Sequence, residues 1–60
     1  MKTTSMGEYR IAERRLDNGW YELSTMAYSM GEEYREHMRY DHPPTIRDYE
    51  KFLSRVESNK

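Results

Sequence analysis

The tetrapeptide His42-Pro43-Pro44-Thr45 constrains this chain more than any other feature. Consecutive prolines remove backbone donors, and each disfavours helical geometry in the residue before it. No regular element runs through such a point, so the chain before it folds as a separate element from the chain after it. Downstream, Thr45 stands three residues before Asp48, the arrangement of an N-cap with an acidic group at the third helical position. Ile46, Tyr49, Phe52, Leu53 and Val56 then recur at steps of three and four, which is one face of a helix. The spacing predicts a helix over 45–57.

Upstream of the prolines the pattern supports two readings. Trp20, Leu23, Ala27, Met30, Tyr34 and His37 follow one another at steps of three and four, and Leu16, Tyr9 and Met6 extend the series backward, with Glu13 as the exception. This reading makes the protein all-α, a small domain of two to three helices over about 5–17, 19–40 and 45–57. Asn18-Gly19 would end the first helix, because Gly or Asn readily takes the left-handed conformation after a helix. The alternative is a β-hairpin over 8–28, with Asn18-Gly19 at its turn, followed by two helices. "WYELSTMAY" suits a strand, whereas "AERRL" is built of good helix formers and the first flank alternates poorly. The helical reading is the primary expectation. Tyr21, Met26, Tyr28, Met38 and Tyr40 are apolar and lie off its seam.

"SMGE" occurs at 5–8 and again at 29–32. A Ser three residues before a Glu is the capping-box pattern; the first copy is expected to start a helix, and the second either starts one or lies within a helix over 19–40, where Gly31 would cost about 1 kcal/mol relative to Ala. A phosphate-binding loop would need further glycines and a Lys-Ser/Thr pair, which neither copy has.

Sixty residues allow one domain, 1–60, with 1–4 and 58–60 expected as frayed ends. A chain of this size buries only about 60% of its unfolded surface. Strong hydrophobes are few, and five Met and six Tyr must complete the core. Such a core is adaptable but specifies its packing loosely, so association into a homodimer is expected to supplement it. The absence of Cys excludes disulfides and thiolate metal sites. "MKTTSMGEYR" contains no apolar leader region, and no run approaches the roughly 18 apolar residues of a membrane helix. A cytoplasmic protein without membrane association is expected. A net charge of −1 gives no general attraction to nucleic acid.

Candidates for chemistry are weak. His37, His42 and Asp41 fall short of the three or four converging ligands of a metal site. Carboxylates are plentiful, but acid–base work needs a sheltered pocket that little apolar material can enclose. Glu32, Glu33 and Glu36 interleave with Arg35 and Arg39 as a solvated surface would. No nucleophile motif is present. The sequence therefore implies no enzyme, cofactor, metal or small-molecule substrate.

Interaction residues are better represented. Trp20, Tyr21, Met26, Tyr28, Met30, Tyr34 and Met38 crowd into one stretch, and such residue types are enriched at protein interfaces. They form the candidate surface for an unidentified protein partner or a homodimer seam. Arg10, Arg14 and Arg15 form a basic cluster, and Arg47, Lys51 and Arg55 a ridge along the last helix. Together they are the candidate contacts of the alternative, a nucleic-acid-associated regulator.

"HPPTIRDYEKFL" is similar to the opening of the winged helix-turn-helix in LexA-type repressors, through Pro43, Pro44, Thr45, Arg47 and Asp48. In that family the segment leads into the helix before the recognition helix. Too few residues follow here for a recognition helix and wing, so shared N-cap chemistry is the expected basis. Taken whole, with "DNGWYELSTMAYSMGEEYREHM" as its most characteristic part, the chain resembles in type the small accessory proteins of lambda-like temperate phages. That resemblance implies a regulatory modulator acting through protein contacts, by occluding or remodelling its partner.

Overall fold

A computed structural model describes residues 1–58. The chain forms four antiparallel strands, β1 (Lys2–Met6), β2 (Tyr9–Arg15), β3 (Tyr21–Ser29) and β4 (Glu32–Tyr40). One helix, α1 (Ile46–Ser58), follows the prolines. Each strand pairs with the next, giving the meander order β1-β2-β3-β4. The all-α expectation is thus overturned: 5–17 and 19–40 are sheet, and the only helix among the described residues is the last. The hairpin alternative comes closer, although a fourth strand stands where it placed a helix. Lys2 to Thr4, expected to fray, belong to β1, and Ser58 closes α1. The rest of the expected frayed end, 59–60, lies outside the described residues.

Alternation explains the correction. Tyr21, Leu23, Thr25 and Ala27 point to one face of β3, and Glu22, Ser24, Met26 and Tyr28 to the other. The helical series through Trp20, Leu23, Ala27 and Met30 mixes residues from opposite faces and from turns. In "AERR" the helix propensity yields to strand pairing on both sides of β2, a tertiary effect that outweighs weak local preferences.

The turns also revise the reading of "SMGE". Both copies are two-residue hairpin turns, but in different frames. The first places Gly7 and Glu8 in the loop between the paired residues Met6 and Tyr9, with Gly7 at φ 61°. A positive φ at the first loop position only is the type II′ pattern. The second places Met30 and Gly31 between Ser29 and Glu32, at φ 54° and 81°, the type I′ pattern. Neither copy caps a helix.

Between β2 and β3, Leu16 accepts from Gly19 N–H at 3.0 Å and donates to the Trp20 carbonyl at 2.7 Å. Gly19 has φ 87°, and Asn18 Oδ1 accepts from Trp20 N–H at 3.0 Å. This is a type I turn closed by a left-handed glycine, the usual three-residue hairpin loop.

Helix α1 begins where the sequence places it. Thr45 Oγ1 accepts from Asp48 N–H at 3.3 Å, and Asp48 Oδ2 accepts from Thr45 N–H at 3.0 Å, a reciprocal capping box. Tyr49, Phe52 and Val56 face the sheet and join Ile11, Leu23 and Ala27 in the buried core. Met6, Tyr9, Tyr34, Met38, Tyr40 and Leu53 surround it. Glu36, on the inner face of β4, is held by Arg55 of α1 at 3.5 Å. Tyr49 donates to Glu13 Oε1 at 2.6 Å, and burial followed by this bond raises the phenol above its ordinary pKa.

Candidate binding face

Helix α1 covers one face of the sheet only. The register specifies what the other face carries. One cross-strand row holds Arg14, Glu22 and Arg39, and the next holds Thr3, Ala12, Ser24 and His37; beyond Ala12–Ser24, the last pair of β2 with β3, the same face carries the pair Ser5–Arg10 and the pair Met26–Arg35. Tyr28 and Glu33 make a further pair beyond these. Arginines therefore flank a floor of small side chains, Thr3, Ala12 and Ser24, that ends at His37. Within each strand the flanking arginines lie four residues apart, about 13 Å. A groove of about 870 Å³ opens here, bordered among others by Thr3, Arg10, Ala12, Arg14, Ser24 and Arg35.

Electrostatics order this surface. Glu22 is 8% exposed although it lies on the uncovered face, because neighbouring side chains close over it. Arg14 Nε donates to Glu22 Oε1 at 3.0 Å, and Arg39 Nε to Glu22 Oε2 at 3.4 Å. One carboxylate thus fixes an arginine on each side. Arg35 Nη1 lies 3.5 Å from Ser24 Oγ. Tyr28 donates to Glu33 Oε1 at 2.9 Å, and the carboxylate holds the phenol above its usual pKa. Met26 and Tyr28 remain 44% and 56% exposed. Below them the buried Thr25 hydroxyl donates to the Arg10 carbonyl at 2.8 Å, tying β3 to β2.

The residues proposed for protein binding are dispersed. Met26 and Tyr28 lie on the uncovered face. Tyr34 and Met38 pack against the core under α1, and Tyr21 lies half-buried on that covered face, opposite Tyr40. Trp20 flanks the β2–β3 turn and Met30 lies within the β3–β4 turn, at opposite ends of β3. The basic set divides as well. Arg10 and Arg14 are on the uncovered face, Arg15 ends β2 with the other parity, and Arg47, Lys51 and Arg55 belong to α1 on the far side of the sheet. Arg35 and Arg39 replace them. Their signal was the period-two pattern of "EEYREHMRY", which puts Glu33, Arg35, His37 and Arg39 on one side.

Among the described residues no group of three or more His, Cys, Asp or Glu is placed to hold a metal ion. No helix of the described residues is long and apolar enough to cross a membrane. Comparison with protein families, curated proteins and solved structures returns no match to this chain.

Proposed function

We propose that the chain is a non-catalytic protein-binding modulator whose working surface is the uncovered face of its sheet. The observation that carries this reading is the grouping of Arg10, Arg14, Arg35 and Arg39 with exposed Met26 and Tyr28 over a small-residue floor. Arg, Tyr and Met are the residue types that anchor interfaces. The excess of arginine over Glu22 and Glu33 calls for an acidic partner segment, and Met26 and Tyr28 call for apolar groups beside it. Binding there would occlude that segment. A regulatory role in the cytoplasm, of the kind implied by the resemblance to phage accessory proteins, belongs to this proposal.

The arginines also support the second reading, nucleic-acid binding, through Arg10, Arg14, Arg35 and Arg39. Glu22 and Glu33 lie within the face and Glu32 borders it, so a backbone charged at every phosphate would meet carboxylates, whereas a protein segment can set discrete acidic groups on the arginines and apolar groups on Met26 and Tyr28. This favours a protein partner.

Capture from native-host lysate with and without nuclease, using wild type and the double variant Arg10→Glu/Arg35→Glu, tests the choice. A stoichiometric protein retained by wild type and lost by the folded variant supports the proposal. Capture unchanged in the variant sinks it. Capture abolished by nuclease moves the nucleic-acid reading to first place.

A further inference from the structure

The sheet has two edges of opposite character. β4 carries Glu32, Glu33, Arg35, Glu36 and Arg39, and charge along an edge strand is a common protection against pairing with another chain. β1 reads Lys2-Thr3-Thr4-Ser5-Met6, with a single charge at its start. Among the described residues it pairs only with β2.

The register fixes which backbone groups β1 offers. Met6 and Tyr9 flank a two-residue loop, so they exchange both backbone hydrogen bonds, and such exchange recurs at every second pair. Thr4 and Met6 therefore turn their N–H and C=O groups to β2, while Thr3 and Ser5 turn theirs outward. The Arg10 carbonyl, which accepts from Thr25 on the β3 side, has the parity this requires. On the covered face a cleft of about 350 Å³ runs beside the edge, lined by Lys2, Thr4, Met6, Pro44, Ile46 and Tyr49, together with Thr45. Ile46 is 70% exposed at its rim.

We propose that a second copy of this chain pairs antiparallel with β1 about a two-fold axis at Thr4. In this register Thr3 meets Ser5 of the second copy, and the reverse, so the outward donors and acceptors of both strands are satisfied. Lys2 falls opposite Met6 of the second copy, so no like charges face each other. Lys2, Thr4 and Met6 of each copy share the covered face, which brings the second Met6 alongside the first cleft and its exposed Ile46. The result is one eight-stranded sheet whose two arginine-bearing faces are continuous. Dimerisation also supplies burial that a sixty-residue chain lacks. The pairing is independent of what the uncovered face binds.

Sedimentation velocity of the full chain over a concentration series up to about 100 µM tests this, since mass action drives association. Wild type is expected to sediment as a dimer. Ser5→Pro removes an outward N–H without touching the bonds to β2, and should sediment as a monomer with an unchanged far-UV CD spectrum. Ile46→Lys, at a position exposed in the single chain, should weaken the dimer at least about tenfold in Kd, and it carries the test if Ser5→Pro fails to fold. A wild-type monomer throughout, or a dimer indifferent to Ile46→Lys, overturns the proposal. So does a dimer abolished by Met26→Asp, which would place the contact on the uncovered face. Partner capture reads that face separately, so either proposal can fail alone.

Discussion

The two faces of the sheet are built from the same strands by alternate residues, yet they do different work. The covered face holds Ile11, Leu23 and Ala27 against Phe52 and Val56, all fully buried. The uncovered face holds arginines, small residues, Met26 and Tyr28. One face holds the buried core, and the other, on the function proposed above, is the one offered to a partner. A short chain with few strong hydrophobes can complete only one apolar layer, and here that layer lies entirely under α1.

Truncation on each face gives the sharpest test of this division. Phe52→Ala should cost about 3–5 kcal/mol, because it empties a fully buried aromatic site. That is comparable with the whole stability of a domain this size, roughly 3–9 kcal/mol at typical values per residue. Met26→Ala, at a half-exposed site, should stay within about 0.5 kcal/mol. Urea denaturation of both variants measures the contrast. Similar losses at the two positions would mean that the uncovered face also carries the fold.

The hairpin turns come next in size. Gly31 has φ 81°, and a Cβ there would meet no atom within 4 Å, so the cost of substitution is purely conformational. Gly31→Ala should destabilise by about 1–2 kcal/mol. Met30, with φ 54° and 98% exposure, already bears such a cost. Met30→Asn should therefore raise stability by about 0.5–1 kcal/mol, since Asn tolerates the left-handed region. Thermal melts of the pair should move in opposite directions; equal losses would contradict the type I′ assignment.

The same turn shows what was legible in the sequence and what was not. Helix α1 was readable because Thr45, Asp48 and the apolar steps after them are all local signals. Asn18-Gly19 was readable as a hairpin turn for the same reason, although the competing helical seam hid it. β4 was harder: its inner face reads Tyr34, Glu36, Met38, Tyr40, and Glu36 breaks the apolar alternation. Its partner Arg55 lies in α1, so the compensation is visible only in the fold. β1 carries Met6 as its one apolar side chain and gives almost no signal. "SMGE" shows the limit most clearly. One tetrapeptide serves two turn types, and strand register, a long-range property, selects the frame. The placement of the arginines follows from that register too, so the candidate surface could not be assembled before the strands were known.

Glu22 is where the division between faces is least clean, since it is buried on the open side. Its carboxylate spans Arg14 and Arg39, whose side chains are 57% and 63% exposed. Solvent screening at the arginines limits each pair, so Glu22→Gln should cost about 1 kcal/mol rather than the larger amount of a fully enclosed network. Added salt should shrink the difference between wild type and variant. A loss as large as that of Phe52→Ala would make this triad part of the structural core.

The smallest effect is expected at the junction between sheet and helix. His42 Nδ1 lies 2.9 Å from Asp41 Oδ1, and Nε2 lies 2.9 Å from Asp48 Oδ2. The hydrogen bonds to Asp41 and then Asp48 raise the imidazole above its ordinary pKa. Asp48 is lowered, first by the Thr45 backbone N–H and then by His42. The histidine contribution is fully present below its unfolded value of about 6.5 and is lost as pH rises through the higher folded value. The aspartate contribution is present above its unfolded value of 3.8 and is lost as pH falls through the lower folded value. The cap is therefore firmest between those two limits. Both groups titrate at the surface, so wild type should lose only a small increment of Tm between about pH 6 and pH 8, and His42→Ala should lose less. An NMR titration of the His42 ring gives the more direct reading. A midpoint at or below that of an isolated histidine would mean the two carboxylates do not hold it in solution. The helix start would then rest on Thr45 and Asp48 alone.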